Sequence, residues 1–155
     1  MSGALTHSPA DVLRRVLIAL GFGTAPEDDP LGSWPIYAAY EPDLPDNVIT
    51  LYDTAGVHQG RDMITGEVFE RHGVQLRIRS TTHPLGYQKT RALAVALDES
   101  IYQESVTLDD PGVGTATSYL VHAVSRRGIL ALGKDVPGGK RSVFTVNALV
   151  SVREV

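Results

Sequence analysis

The chain has 155 residues, 43% hydrophobic and 21% charged, with a formal net charge of −4 and no cysteine. That is the length of one ordinary domain with enough apolar residues for a core. It excludes thiol catalysis, disulfides and cysteine-held zinc. The acidic balance also argues against a protein that wraps nucleic acid, which needs a basic face.

The first element is marked at both ends. "SPADVLRRVLIALG" starts with a capping Ser8, carries Pro9 in its first turn and places Asp11 where the positive helix end favours a carboxylate. Val12, Leu13, Val16, Leu17 and Leu20 recur at helical spacing, and Gly21 and Gly23 end the run. Basic residues ahead of an apolar stretch superficially match a signal peptide. However, Pro9 and Asp11 precede the stretch and no small-x-small cleavage site follows, so an amphipathic helix is the better reading. The apolar run is also far short of the ~20 residues that a membrane span needs.

Residues 22–46 hold Pro26, Pro30, Pro35, Pro42 and Pro45 and the acidic run Glu27, Asp28, Asp29. Proline cannot donate to a ladder, so irregular chain is expected, with at most a short strand in "WPIYAAY". Trp34, Tyr37 and Tyr40 are expected to pin it to the body. "NVITLYD" (47–53) reads as a strand, and so does "GVQLRIRS" (73–80), where Val74, Leu76 and Ile78 alternate with Gln75, Arg77 and Arg79. The span 54–72, with Gly56, Gly60 and Gly66, is expected to be a long functional or mobile loop.

"PLGYQKTRALAVALDESIYQ" (84–103) reads as a second helix, with Tyr87, Ala94, Leu97 and Ile101 on one face. Three strands follow: "TATSYLVHAVS", "GILALG" and "RSVFTVNALVSVRE". In the last, Phe144, Val146, Ala148, Val150 and Val152 form one apolar face, with Thr145, Asn147, Ser151 and Arg153 opposite. Strands grouped in runs predict a single α+β domain, with a mixed, mostly antiparallel sheet and two helices packed on one face.

"GKDVPGGKRS" (133–142) superficially resembles a phosphate loop. A Walker A motif with Lys140 as its lysine needs glycine at 134 and Ser or Thr at 141, and the chain has Lys134 and Arg141. The residues that follow have strand period, not the helix whose positive end such a loop uses. "PGGK" therefore reads as a hairpin turn. His7, His58, His72, His83 and His122 make no metal-ligand spacing, and there is no G-x-S-x-G elbow. Neither a catalytic residue nor a cofactor or metal is expected. Arg77, Arg79, Arg126 and Arg127 are candidates for a phosphate backbone, for a solvated strand face, or for ion pairs with a neighbouring subunit.

Two stretches carry a family resemblance. "VQLRIRSTTHPLGYQKTRALAVALDESI" is a strand, a turn and a helix; "YLVHAVSRRGILALGKDVPGGKRSVFTVNALVSV" is a strand, a short strand, a glycine-containing turn with Arg141, and a final strand with Asn147. In that order, over roughly residues 8–154, the chain resembles the minor capsid and tail terminator proteins of long-tailed bacteriophages. The resemblance implies a structural protein, not an enzyme, located in the virion neck and in the host cytoplasm during assembly. It implies a six-membered ring on the last ring of the tail tube that stops polymerisation and meets the head connector. The implied partners are further copies of the chain, the major tail tube protein and the connector or stopper protein. No membrane is involved, and DNA passes through the channel without specific binding. Glu27, Asp28, Asp29 or Asp109, Asp110 are the candidate channel lining. Gly56, His58, Arg61, Asp62, Met63, Arg77, Arg79, Arg126 and Arg127 are the candidate interface residues. A related head-completion or connector protein and, more remotely, a small enzyme with a spatially assembled site are the alternatives.

Overall fold

The computed structural model describes residues 5–61, 63–65 and 68–155. In chain order the elements are α1 (Pro9–Ala19), β1 (Ile36–Ala38), β2 (Val48–Arg61), β3 (Val68–Ser80), α2 (His83–Glu99), β4 (Tyr102–Asp109), β5 (Ala116–Arg126), β6 (Leu130–Lys134) and β7 (Ser142–Glu154). The strands form one sheet in the order β1-β2-β3-β7-β5-β4, with β6 also on β7. β1 runs parallel to β2, and the other pairs are antiparallel. The expected α+β class, with its mixed and mostly antiparallel sheet, is what the chain adopts.

Both helices are started by side chains. Ser8 Oγ accepts from the Asp11 amide at 3.2 Å, and Thr82 caps α2 by accepting from Leu85. Strand register then decides what the helices cover. Ile49 and Leu51 lie opposite Ile78 and Leu76, and Leu76 and Val74 lie opposite Val146 and Ala148. These residues share a face and one buried cluster with Val12, Leu13, Val16 and Leu17 of α1 and Leu93 and Leu97 of α2. Both helices therefore pack on the same side. Each such side chain contributes about 1.5–3 kcal/mol of transfer free energy. Gly86 brings α2 close to β7, since a Cβ there would lie 2.7 Å from the Phe144 ring.

Three expectations need correction. Residues 54–61 and 68–72 are not loop: β2 and β3 continue through them as paired strands. Glycine and polar residues mask the strand period there, and the ladder slips between Thr54 and Val57 and again between His58 and Gly60. The second helix stops at Glu99 rather than 103, because the chain turns out there to start β4, a strand not expected from the sequence, of which the helical reading covers only Tyr102 and Gln103. Tyr40 does not pin the proline-rich segment to the body: it is exposed, with its ring edge-on to Tyr37 at 6.0 Å between centroids.

The turn at Asp135–Arg141 joins β6 to β7 as a hairpin, with Gly138 at φ +76. The residues after Lys140 enter a strand, so no helix end faces the turn. β5 and β6 lie in line along the same side of β7: Arg126 is opposite Ala148, the Arg127 amide donates to Asn147 O, and Leu130 is opposite Thr145.

Candidate interaction surfaces

The far half of the β2–β3 hairpin stands clear of the sheet. β3 meets β7 from His72 onward, and past Thr54 and His72 the two strands pair, among the described residues, with each other alone. A two-stranded ribbon is marginal without further cover. Its waist is narrow for a steric reason. A Cβ on Gly56 would strike the Arg71 carbonyl oxygen, and one on Gly73 would strike Thr54 Oγ1. Gly56 therefore permits close backbone approach rather than offering a contact surface. Val57, His58 and Arg61 are exposed along this arm, and near its tip Met63 is 100% and Ile64 95% exposed. Asp62, the other candidate in this stretch, lies outside the described residues.

The second region is the sheet face away from the helices. Here the segment 39–46 lies across β2, β3 and β7 as a strap. Arg79, only 4% exposed, holds it: Nε donates to Asp46 O at 3.2 Å, and Nη2 donates to Pro45 O at 2.7 Å and Asp43 O at 3.1 Å. Arg141 adds Nη1 to Asp43 O at 2.6 Å and pairs with the carboxylates of Asp43, Asp46 and Asp135. Arg77 pairs with Glu41 at 3.1 Å. Burial and the charge of Arg141 lower the Arg79 pKa from its ordinary value. Beneath the strap Thr50 and Thr145 are buried, and the Thr50 hydroxyl has no hydrogen-bond partner among the described residues. The alternation of β3 marks Arg77 and Arg79 as equals. The structure turns both inward, to their own chain, and buries one of them.

A third cluster ties the N-terminal segment to β4 and β5. The His7 amide donates to Tyr119 Oη at 2.9 Å. The His7 ring lies 2.7 Å from the same oxygen through Nδ1, and 2.9 Å from Asp109 O through Nε2. A neutral ring that donates from Nε2 and accepts at Nδ1 satisfies every group. Hydrogen bonds from Thr115 and Thr117 lower the pKa of Asp110, and burial raises that of Tyr119. These bonds make the arrangement a joint between chain segments.

Other candidate charges are also engaged. Arg126 forks onto Asp98, at 2.7 Å, and donates to Ala94 O, which fixes β5 to α2. Arg127 is exposed. Arg14 and Arg15 both reach Glu27, and the hydrogen bond from Arg14 is the main cause of the lowered Glu27 pKa. The depression beside them, about 470 Å³ and open to solvent, is lined by Asp11, Arg14, Pro26, Glu27, Tyr37 and Ala38. Lys89, half-buried and with its pKa lowered by burial, sits 5.6 Å from the Trp34 ring centroid. Among the described residues no group of three or more His, Asp or Glu is placed to hold a metal ion, and no helix is long and apolar enough to cross a membrane.

Of the nine candidate interface residues, His58, Arg61, Met63 and Arg127 are exposed, while Arg77, Arg79 and Arg126 hold the chain to itself. The open edges of β4 and β6 were missed: the sequence shows neither which strands are outermost nor that β4 exists. In comparisons with known proteins, no protein-family model matches the chain and no curated protein is significantly similar to it.

Proposed function

We propose that this chain is a structural virion protein that caps the head-proximal end of a phage tail tube. It ends tail growth and joins the tail to the head connector as a ring. The observation that carries this reading is the β2–β3 arm: a ribbon beyond the sheet, with no third strand among the described residues, along which Val57 and Met63 offer apolar surface to a partner. An enzyme's polar groups converge on a pocket. Here the side-chain clusters join one chain segment to another, and the exposed Val57 and Met63 lie on a projection. The order of helix, strands, helix and strands is the one that the resemblance to tail terminator proteins implies. A ring follows from one heterologous interface used repeatedly, and the arm is the element that reaches a neighbour. On this reading DNA passes the ring without specific binding, in keeping with a net charge of −4.

The test is a phage lacking this gene. The expected result is filled heads without tails, tubes of abnormal length, and joining restored by added purified protein. Protein lacking residues 56–66 keeps its fold, because the pairing of 48–54 with 73–79 is untouched, yet it fails to restore joining. Tails of normal length that attach to heads without the protein overturn the proposal. Correctly ended tails with heads that leak DNA assign the chain to another neck component instead.

A further inference from the structure

We infer that two copies of this chain pair by a lap joint, β4 of each against β6 of the other. The outer edge of the sheet on this side is stepped. β5 and β6 form one column beside β7, but β4 flanks only the Ala116–Ala123 part of β5. Beyond Tyr102 the edge is recessed by one strand, from Val124 to Lys134, and no described residue pairs with the far side of β6. β4 has eight residues, about 27 Å of strand. The recess spans residues 124–134, long enough to receive a strand of that length.

A two-fold axis normal to the sheet completes the fit. It carries the partner's β4 into the recess beside β6, and this copy's β4 into the partner's recess. β4 runs opposite to β5 and β6, and the rotation reverses it, so the partner's β4 lies parallel to β6. All helices stay on one face of the joined sheet. The two Tyr102 side chains, each 71% exposed at the end of β4 that borders the recess, meet near the axis. Leu130 and Leu132, 54% and 47% exposed on β6, gain cover.

Charge selects this occupant. β4 carries Glu104 and Asp109 and no basic residue, while β6 is bounded by the exposed Arg127 and Lys134. Opposite charges on neighbouring strands stabilise pairing, and like charges oppose it. Direct β4–β4 pairing across a two-fold axis would bring together two edges that carry only acidic charge. The β4 edge is also poorly defended against pairing. It has no proline and no lysine, and its Glu104–Asp109 stretch keeps an unbroken register with β5. The N-terminal segment reaches the far end of this strand: α1 packs against β4, and Asp109 O is bonded to His7.

The test uses the full chain and two charge-reversed variants. Arg127→Glu with Lys134→Glu makes the β6 edge acidic; Glu104→Lys with Asp109→Lys makes the β4 edge basic. Sedimentation equilibrium of the wild type at up to about 100 μM is expected to show a monomer–dimer equilibrium. Each variant alone, with native circular dichroism, weakens self-association by about tenfold or more. An equimolar mixture of the two restores a dimer, because both junctions again join opposite charges. Should a reversed pair disturb its fold, Tyr102→Lys is the second probe: it brings two like charges together at the axis and weakens the dimer. A wild type that stays monomeric throughout overturns the inference, as does self-association that none of these variants changes, or a mixture that remains monomeric. Pairing in solution is independent of the tail reading: a phage that joins without the protein leaves the lap joint standing, and a monomeric wild type leaves the tail reading standing.

Discussion

Replacing Arg79 by leucine should cost far more than the same change at Arg77, two residues away on the same face. Arg79 Nε and Nη2 donate to three backbone carbonyls of the strap, and the side chain is nearly inaccessible. Without it Asp43 O keeps its bond from Arg141, but the carbonyls of Pro45 and Asp46 lose these donors and Glu41 loses a nearby charge. Two orphaned carbonyls and a weakened ion pair cost about 3 kcal/mol, within the range for breaking buried charge-assisted bonds. For a domain of this size that lowers Tm by about 6–12 °C. Arg77 has one partner, Glu41, and is more accessible, so its loss should cost below about 1 kcal/mol. Arg79→Lys should fall between the two, because an ammonium cannot fork onto separated carbonyls. Urea titration gives the free energies, and hydrogen exchange at the strap amides locates the effect. Equal losses at 77 and 79, or an Arg79→Leu protein with an unchanged midpoint, would refute the claim that Arg79 clamps the strap.

Thr50→Val should raise the unfolding free energy from urea titration by about 1 kcal/mol, since it removes a buried hydroxyl that has no partner among the described residues while keeping its shape; a loss of stability would mean that the hydroxyl is satisfied. Val146→Asp should cost about 4 kcal/mol or unfold the chain, and Thr145→Asp should also be severe, because the strap leaves Thr145 only 2% exposed; thermal melts compare them. Gly86→Ala should lower stability by about 1–3 kcal/mol through overpacking against Phe144 and Ser80, read from the same melts. The pKa of Glu27 is depressed in the folded state, so its stabilisation is present at neutral pH and disappears as the pH falls through the ordinary glutamate value and then the depressed one. In Arg14→Met that acid-side loss should shrink, which urea midpoints at about pH 7 and pH 3 will measure.

Much of this fold can be read along the chain. Ser8, Pro9 and Asp11 mark the start of α1 because capping and dipole effects act over a few residues. The alternation of 142–154 marks β7 because that strand is buried on one face along its whole length. Prolines confine regular structure in residues 22–46 to the three residues of β1. These signals are local, and so is the failed Walker spacing that reduces residues 135–141 to a turn.

Tertiary structure alone decided the rest, because the same local pattern is compatible with more than one partner. Residues 54–61 and 68–72 lack the apolar alternation of a buried strand, yet they extend β2 and β3, since each strand supplies the other's backbone partners. "IYQESVTLDD" continues a helical pattern as readily as it begins a strand, and β5 alongside selects the strand. Arg77 and Arg79 are equivalent by period, and the path of the strap separates them. The stepped edge formed by β4 and β6 has no sequence signature, because it depends on which strands lie outermost. Local propensity acts through neighbours along the chain, whereas burial and edge exposure arise from residues brought together across it.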